Sequence, residues 1–235
     1  MQKSRILIVD DHPIVRSGLM RLIDQQSDLV CCGEASVAAE VQTEVARLSP
    51  DLVILDLRLK RADGLELIKS LKSQFPGIKI LILSQYDAPL YVERALQSGA
   101  LGYVVKEQAA EELIQAIRTV LAGEVYLTRA MAARFLQKLV GGSAKSSLAG
   151  IEQLTDRELH VLQSLGAGLS TRQIASELNL SIKTVETHRE NIKRKLGLAG
   201  ASELVHFANQ WAREHISLSP NTLQGDGVSS PDFNP

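Results

Sequence analysis

Asp51–Asp56 reads DLVILD, four apolar residues in a row closed by a carboxylate. So short an apolar run, without polar alternation, fits a strand buried on both faces. The pattern recurs at Arg5–Val9 (RILIV), Leu29–Gly33, Ile78–Leu83 (IKILIL) and Leu101–Val105 (LGYVV). Between these runs lie stretches with helical spacing: Pro13–Gln26, Val37–Leu48, Leu65–Phe75, Leu90–Gln97 and Ala109–Leu121. In the first, Ile14, Val15, Leu19, Leu22 and Ile23 form the expected inner face. Strands alternating with helices predict an α/β doubly wound, five-stranded parallel sheet covered on both faces, with right-handed crossovers. Functional groups in such a sheet gather at the C-terminal ends of the strands.

The pattern changes after Gly123. Residues 124–150 read as a linker with a helix over 128–140 and a small, polar tether, GGSAKSSLAG, at Gly141–Gly150. Residues 151–216 are helical throughout, with short Gly- or Ser-containing breaks, and predict an all-α four-helix domain. Residues 217–235 are rich in Pro, Gly, Ser, Asn and Asp without periodicity and read as a disordered tail.

Bulk composition excludes several classes. Of 235 residues, 45 % are apolar, enough for a packed core, and 4 % are aromatic, so that core is aliphatic. No apolar run reaches the ~18 residues of a membrane span, and no signal-peptide pattern opens the chain. The expectation is an intracellular, cytoplasmic protein without a membrane partner. Cys31 and Cys32 are adjacent, so a disulfide between them is strained and closes no useful loop. Net charge is −1, and any nucleic-acid footprint must therefore be local.

Three carboxylates fall at strand ends: Asp10 and Asp11 after the first, Asp56 after the third. If those strands are neighbours the carboxylates converge, and each resists ionising unless a cation joins them. An all-oxygen set of this charge suits Mg²⁺. Ser84 ends the fourth strand and Lys106 follows the fifth. A carboxylate nucleophile, a metal, a hydroxyl donor and an ammonium around one point make a phosphoryl site, with the acyl phosphate forming on Asp56. Taken singly, each of these residues has a bland reading as a cap, a turn residue or a solvated charge.

With IVDDH at Ile8–His12, ILDL at Ile54–Leu57, LILS at Leu81–Ser84 and GYVVK at Gly102–Lys106, residues 1–123 resemble a response-regulator receiver domain. The resemblance implies that Asp56 is the phospho-acceptor and that Asp10 and Asp11 are metal carboxylates. It puts a third metal ligand at the main-chain carbonyl of Arg58. It makes Ser84 and Tyr103 the switch pair and Lys106 the ammonium. It implies a sensor histidine kinase as phosphodonor and a chain that is no enzyme beyond its own phosphorylation and slow hydrolysis. Two departures stand out. Glu107 occupies the place where relatives often carry proline. The loop after the acceptor, RLKRADG at Arg58–Gly64, carries Arg58, Lys60 and Arg61 where many relatives have a Met-Pro segment. That loop reads either as a solvated charged surface or as a place where Arg58 tunes hydrolysis of the acyl phosphate.

In the second half, Thr155 with Glu158 three residues on predicts a capping box. Ser170 or Thr171 starts a second helix, Asn179–Ser181 forms a turn, and Ser181 caps a third helix, making a helix-turn-helix. The third helix is expected to bury Ile182, Val185, Ile192 and Leu196. Between 181 and 196 there are five basic residues (Lys183, Arg189, Lys193, Arg194, Lys195) and two acidic ones (Glu186, Glu190), a local net +3. That is a DNA footprint, although a solvated helix face has a similar composition. Leu154 to Trp211, with TVETHRENIKRKLG at its centre, resembles a LuxR-type DNA-binding domain, and the whole chain resembles the NarL/FixJ class of response regulators. The resemblance implies phosphate anchors at Lys183, Thr184, Arg189 and Lys193, with Glu186, Thr187 and Glu190 near base edges of double-stranded DNA. It implies a structural, hydrogen-bonding role for His188. It also implies a homodimer on activation, with the fourth helix (Ala201–Arg213) as dimer contact. Three alternatives stay open at this point: a phosphatase or mutase using Asp56 transiently, an adaptor that binds no DNA, and a DNA binder whose receiver works without phosphate.

Overall fold

The structure is a computed structural model describing residues 3–59, 63–85, 89–141 and 150–215. Five strands, β1 (Ser4–Val9), β2 (Leu29–Ala35), β3 (Leu52–Leu55), β4 (Lys79–Ser84) and β5 (Gly102–Val105), form one sheet in the order β2-β1-β3-β4-β5. Every pairing is parallel. The helices α1 (Pro13–Asp24), α2 (Ala38–Leu48), α3 (Gly64–Gln74), α4 (Pro89–Gln97) and α5 (Ala109–Leu121) alternate with them.

Strand residues point alternately to the two faces. Ile6, Ile8, Ile54, Leu81, Leu83 and Val104 pack on Leu19 and Ile23 of α1 and Leu113, Ile117 and Val120 of α5. Leu7, Val9, Val53, Leu55, Ile80, Ile82 and Tyr103 face the side that holds Val41, Val45, Ile68, Leu71 and Val92. Each aliphatic side chain fully buried this way contributes about 1.5–3 kcal/mol relative to exposure. Ile14 departs from the expected inner face and is 88 % exposed. It lies in the first turn of α1, at the sheet's rim, and Leu19 and Ile23 carry the buried stripe instead.

The register pairs Val9 with Leu55, and the Asp56 amide donates to the Val9 carbonyl at 2.9 Å. Asp10 and Asp56 therefore leave adjacent strands at the same level. Asp63 caps α3, accepting from the Leu65 amide at 3.0 Å. Gly64 follows it in close contact with the backbone of Leu57.

Beyond α5 the chain turns at Gly123 and runs along the outer edge of β5. The Tyr126 amide donates to the Leu101 carbonyl at 2.9 Å, and the Tyr103 amide to the Tyr126 carbonyl at 3.0 Å. The Tyr126 hydroxyl donates to Glu112 at 3.0 Å. A helix, α6 (Arg129–Gly141), follows. Most of the expected tether (142–149), Lys60 and Arg61 of the acceptor loop, and the expected disordered tail lie outside the described residues.

The second domain comprises α7 (Asp156–Gly166), α8 (Thr171–Glu177), α9 (Ile182–Leu196) and α10 (Ala201–His215). Thr155 and Glu158 form the expected capping box, with Thr155 N to Glu158 Oε2 at 2.8 Å and Glu158 N to Thr155 Oγ1 at 3.2 Å. Ser170 and Gln173 form a second box on α8, and Ser181 accepts from the Thr184 amide at 3.0 Å to cap α9. Buried Glu158 also pairs with Lys195 at 2.6 Å, tying α7 to α9. Val185 and Ile192 are buried as expected, but Ile182 is 44 % exposed. It is the first residue of α9, beside the turn, one turn short of the core.

The two domains touch. Asp156, at the start of α7, pairs with Arg94 of α4 at 2.8 Å and with Lys69 of α3 at 2.7 Å. Arg94 also donates to the Leu154 carbonyl at 2.6 Å, and Trp211 of α10 packs on Tyr91 of α4 with ring centres 6.2 Å apart.

A Cβ at position 64 would lie 2.6 Å from Leu57 Cα and 2.7 Å from its carbonyl oxygen. Backbone cannot yield there cheaply, so Gly64→Ala should destabilise the protein by about 1–3 kcal/mol. Urea denaturation should show a lower midpoint with an unchanged slope.

Candidate phosphoryl site and nucleic-acid interface

The C-terminal ends of β1, β3 and β5 bring Asp10, Asp11, Asp56 and Lys106 together. Lys106 Nζ lies 2.6 Å from Asp10 Oδ2 and 2.6 Å from Asp56 Oδ2. Asp10 and Asp56 are buried. Burial pushes the Asp56 carboxyl above the usual carboxylate range, and the Lys106 charge opposes this without cancelling it. Burial works against the Lys106 ammonium too, but the carboxylates of Asp56 and Asp10 outweigh it and hold its pKa above the ordinary value.

Ligand atoms of Asp10, Asp11, His12 and Asp56 all lie within 4.8 Å of one another. His12 was not among the residues singled out from the sequence. Its Nδ1 sits 2.8 Å from Asp11 Oδ1 and 3.2 Å from Asp10 Oδ1. Arg16 was missed too; it donates to the Asp10 carbonyl at 2.7 Å and pairs with Glu34 at 2.9 Å, bracing the end of β1. Three carboxylates face one lysine, so the pocket keeps an excess of negative oxygen for a divalent cation, and the donor set fits Mg²⁺. The Arg58 amide donates to Asp56 Oδ1 at 3.0 Å, which folds the loop so that residue 58 stays beside the carboxylate. The Arg58 side chain reaches instead to Glu177 of α8, at 3.2 Å.

Ser84 is buried at the end of β4. Tyr103 is fully buried within the face that packs on α4, and its amide donates to the Tyr126 carbonyl beside β5. Its ring thus already occupies an interior position. No cis peptide bond occurs among the described residues, including at Lys106–Glu107.

On α9, Lys183, Glu186, Thr187 and Glu190 are exposed. Two of the expected phosphate anchors are engaged within the protein: Arg189 donates to the Thr171 hydroxyl, and Lys193 pairs with Glu190 at 2.8 Å. Thr184 is half-buried, its hydroxyl 2.8 Å from that of Ser181. Thr187 donates back to the Lys183 carbonyl at 2.9 Å. The expected hydrogen-bonding role of His188 is not met among the described residues, where its buried Nδ1 has no partner. Burial lowers its pKa. An open groove between α9 and α10 is lined by Arg189, Ala201, Ser202, Val205, His206 and Asn209.

Comparison with known proteins agrees with this geometry. Residues 6–118 match the response regulator receiver domain, and residues 152–208 match the bacterial regulatory proteins of the luxR family. The chain is 35 % identical over 208 residues to the oxygen regulatory protein NreC of Staphylococcus carnosus, covering 87 % of this chain and 96 % of that one. Among solved structures it resembles RcsB of Salmonella typhimurium, with a TM-score of 0.68 at 26 % identity over 89 % of this chain and 98 % of that one. It also resembles RcsB from Salmonella enterica serovar Typhimurium bound to the promoter P1flhDC in the presence of the phosphomimetic BeF3-. There the TM-score is 0.65 at 26 % identity, over 89 % of this chain and all of that one.

Replacing Lys106 by Met removes the ammonium that Asp10 and Asp56 share and should cost about 3–5 kcal/mol at neutral pH, the usual result of breaking a buried pair. The Asp56 carboxyl, held above its unfolded pKa, costs stability when ionised and returns it as pH falls through the folded value. The variant's deficit, measured by chemical denaturation across a pH series, should therefore shrink toward acid pH.

Proposed function

The chain belongs to the response regulators that join a receiver domain to a LuxR-type DNA-binding domain, and we propose that Asp56 phosphorylation controls how it binds DNA to regulate transcription. The carrying observation is the half-buried Lys106 ammonium held 2.6 Å from both Asp10 and Asp56. An Asp56 oxygen attacks the phosphorus of a phosphohistidine on a sensor kinase. The O–P bond forms as the P–N bond breaks, and the departing imidazole takes a proton. Lys106 stays paired with the growing negative charge, and the Ser84 hydroxyl donates to a phosphoryl oxygen. Asp10, Asp11, Asp56 and the Arg58 carbonyl would hold Mg²⁺, which supplies positive charge to the phosphoryl oxygens.

The protein turns over no separate substrate and carries out only its own phosphorylation and slow hydrolysis. It works in the cytoplasm with the DNA, and no helix among the described residues is long and apolar enough to cross a membrane. α9 enters the major groove, where Glu186 and Glu190 can accept from cytosine amines and Thr187 can meet a thymine methyl. Lys183 and Thr184 contact phosphates, joined by Arg189 and Lys193 when DNA competes for their present partners. A phosphorylated homodimer reads two half-sites about one helical turn apart.

Selection from random DNA duplexes, with and without beryllofluoride and Mg²⁺, tests this function. A two-half-site motif enriched more strongly with beryllofluoride is the expected result. Equal enrichment in both samples would remove phosphate control, and no motif at low salt would remove DNA reading.

A further inference from the structure

Arg58 stands two residues after the acceptor, yet its side chain crosses to the other domain. Its amide holds Asp56 Oδ1 at 3.0 Å, while its Nη2 lies 3.2 Å from Glu177 Oε1 at the end of α8. One residue therefore connects the carboxylate that takes the phosphoryl group with the helix preceding the DNA-reading helix, although the two partners lie 119 positions apart. We infer that Arg58 is a relay whose guanidinium exchanges Glu177 for the phosphoryl group on Asp56, releasing the α8 corner of the DNA-binding domain. This rests on Asp56 being the acceptor.

Two observations support the exchange. The Arg58–Glu177 pair is at the rim of the domain contact, with side chains 37 % and 25 % exposed, and solvent weakens pairs of that kind. The Asp156 pairs with Arg94 and Lys69 hold another part of the contact. Loss of Glu177 as partner therefore shifts the balance between docked and undocked domains without severing the whole contact. Second, a phosphoryl group adds roughly −1.5 to −2 charges and three strong acceptor oxygens, and a guanidinium matches them in a bidentate way that a lysine cannot.

The chain carries its own reporter. Trp211 is its one tryptophan, is buried, and packs against Tyr91 of the receiver. Undocking exposes the indole and moves its emission to longer wavelength. The test uses the full chain, with Arg58→Gln, Glu177→Gln and the double variant, each with and without Mg²⁺ and beryllofluoride. Phosphoryl uptake from acetyl phosphate is followed in parallel by intact mass. The expected result is a red shift of wild-type emission on adding beryllofluoride. Each single variant should already show most of that shift without it, and the double variant should match the singles because both act through one pair. Glu177→Gln lies in the other domain, so its phosphoryl uptake should match wild type. Variants that keep the wild-type emission and respond to beryllofluoride in full, in chains that take up the phosphoryl group, would overturn the relay alone. A wild-type chain that takes up none would overturn the acceptor reading, and with it the trigger of the relay.

Discussion

A half-buried lysine between two buried aspartates sets the terms for the first domain. Lys106 Nζ sits 2.6 Å from both Asp10 and Asp56, and each carboxylate leaves the end of a different parallel strand. Removing such groups from water costs several kcal/mol per ion unless the partners are held in place. The sheet provides that constraint. Val9 pairs with Leu55, the Asp56 amide bonds the Val9 carbonyl, and Arg16 braces the Asp10 carbonyl. The remaining carboxylate excess favours a cation, which would help hold Asp56 in its ionised form.

Much of this was legible in the sequence because it depends on local pattern. Apolar runs closed by Asp56 or Ser84 announce strand ends, and the parallel fold brings strand ends together. The capping box at Thr155 and Glu158 is equally local. The errors have a common cause. Helical periodicity selects a face without saying where the neighbouring layer stops. Ile14 and Ile182 fit the spacing but lie in first turns beyond the packed surface. For Arg189 and Lys193, composition showed basic charge but not that Thr171 and Glu190 already engage it. His12 closes the IVDDH motif and Arg16 follows it, and their contacts depend on how the chain folds there.

Contacts between the domains lie furthest from sequence reasoning. The pairs of Asp156 with Arg94 and Lys69 span 62 and 87 positions. No spacing rule connects them, and each residue alone reads as a solvated charge. They place the first helix of the DNA-binding domain against α3 and α4 of the receiver while the outer face of α9 stays exposed. The isolated bridge at Tyr126 adds a second link, since its carbonyl accepts from the amide of buried Tyr103. Main-chain and side-chain contacts thus join the receiver to the linker and to the second domain.

The most direct measurement is intact-mass analysis of the full chain and Asp56→Asn after incubation with acetyl phosphate and Mg²⁺, with hydroxylamine to cleave any acyl phosphate. If Asp56 is the acceptor, the chain gains one phosphoryl group, hydroxylamine removes it, and the Asp56→Asn variant gains none. A folded chain that gains no phosphoryl group, or an Asp56→Asn variant that gains one as readily, would contradict the role assigned to Asp56.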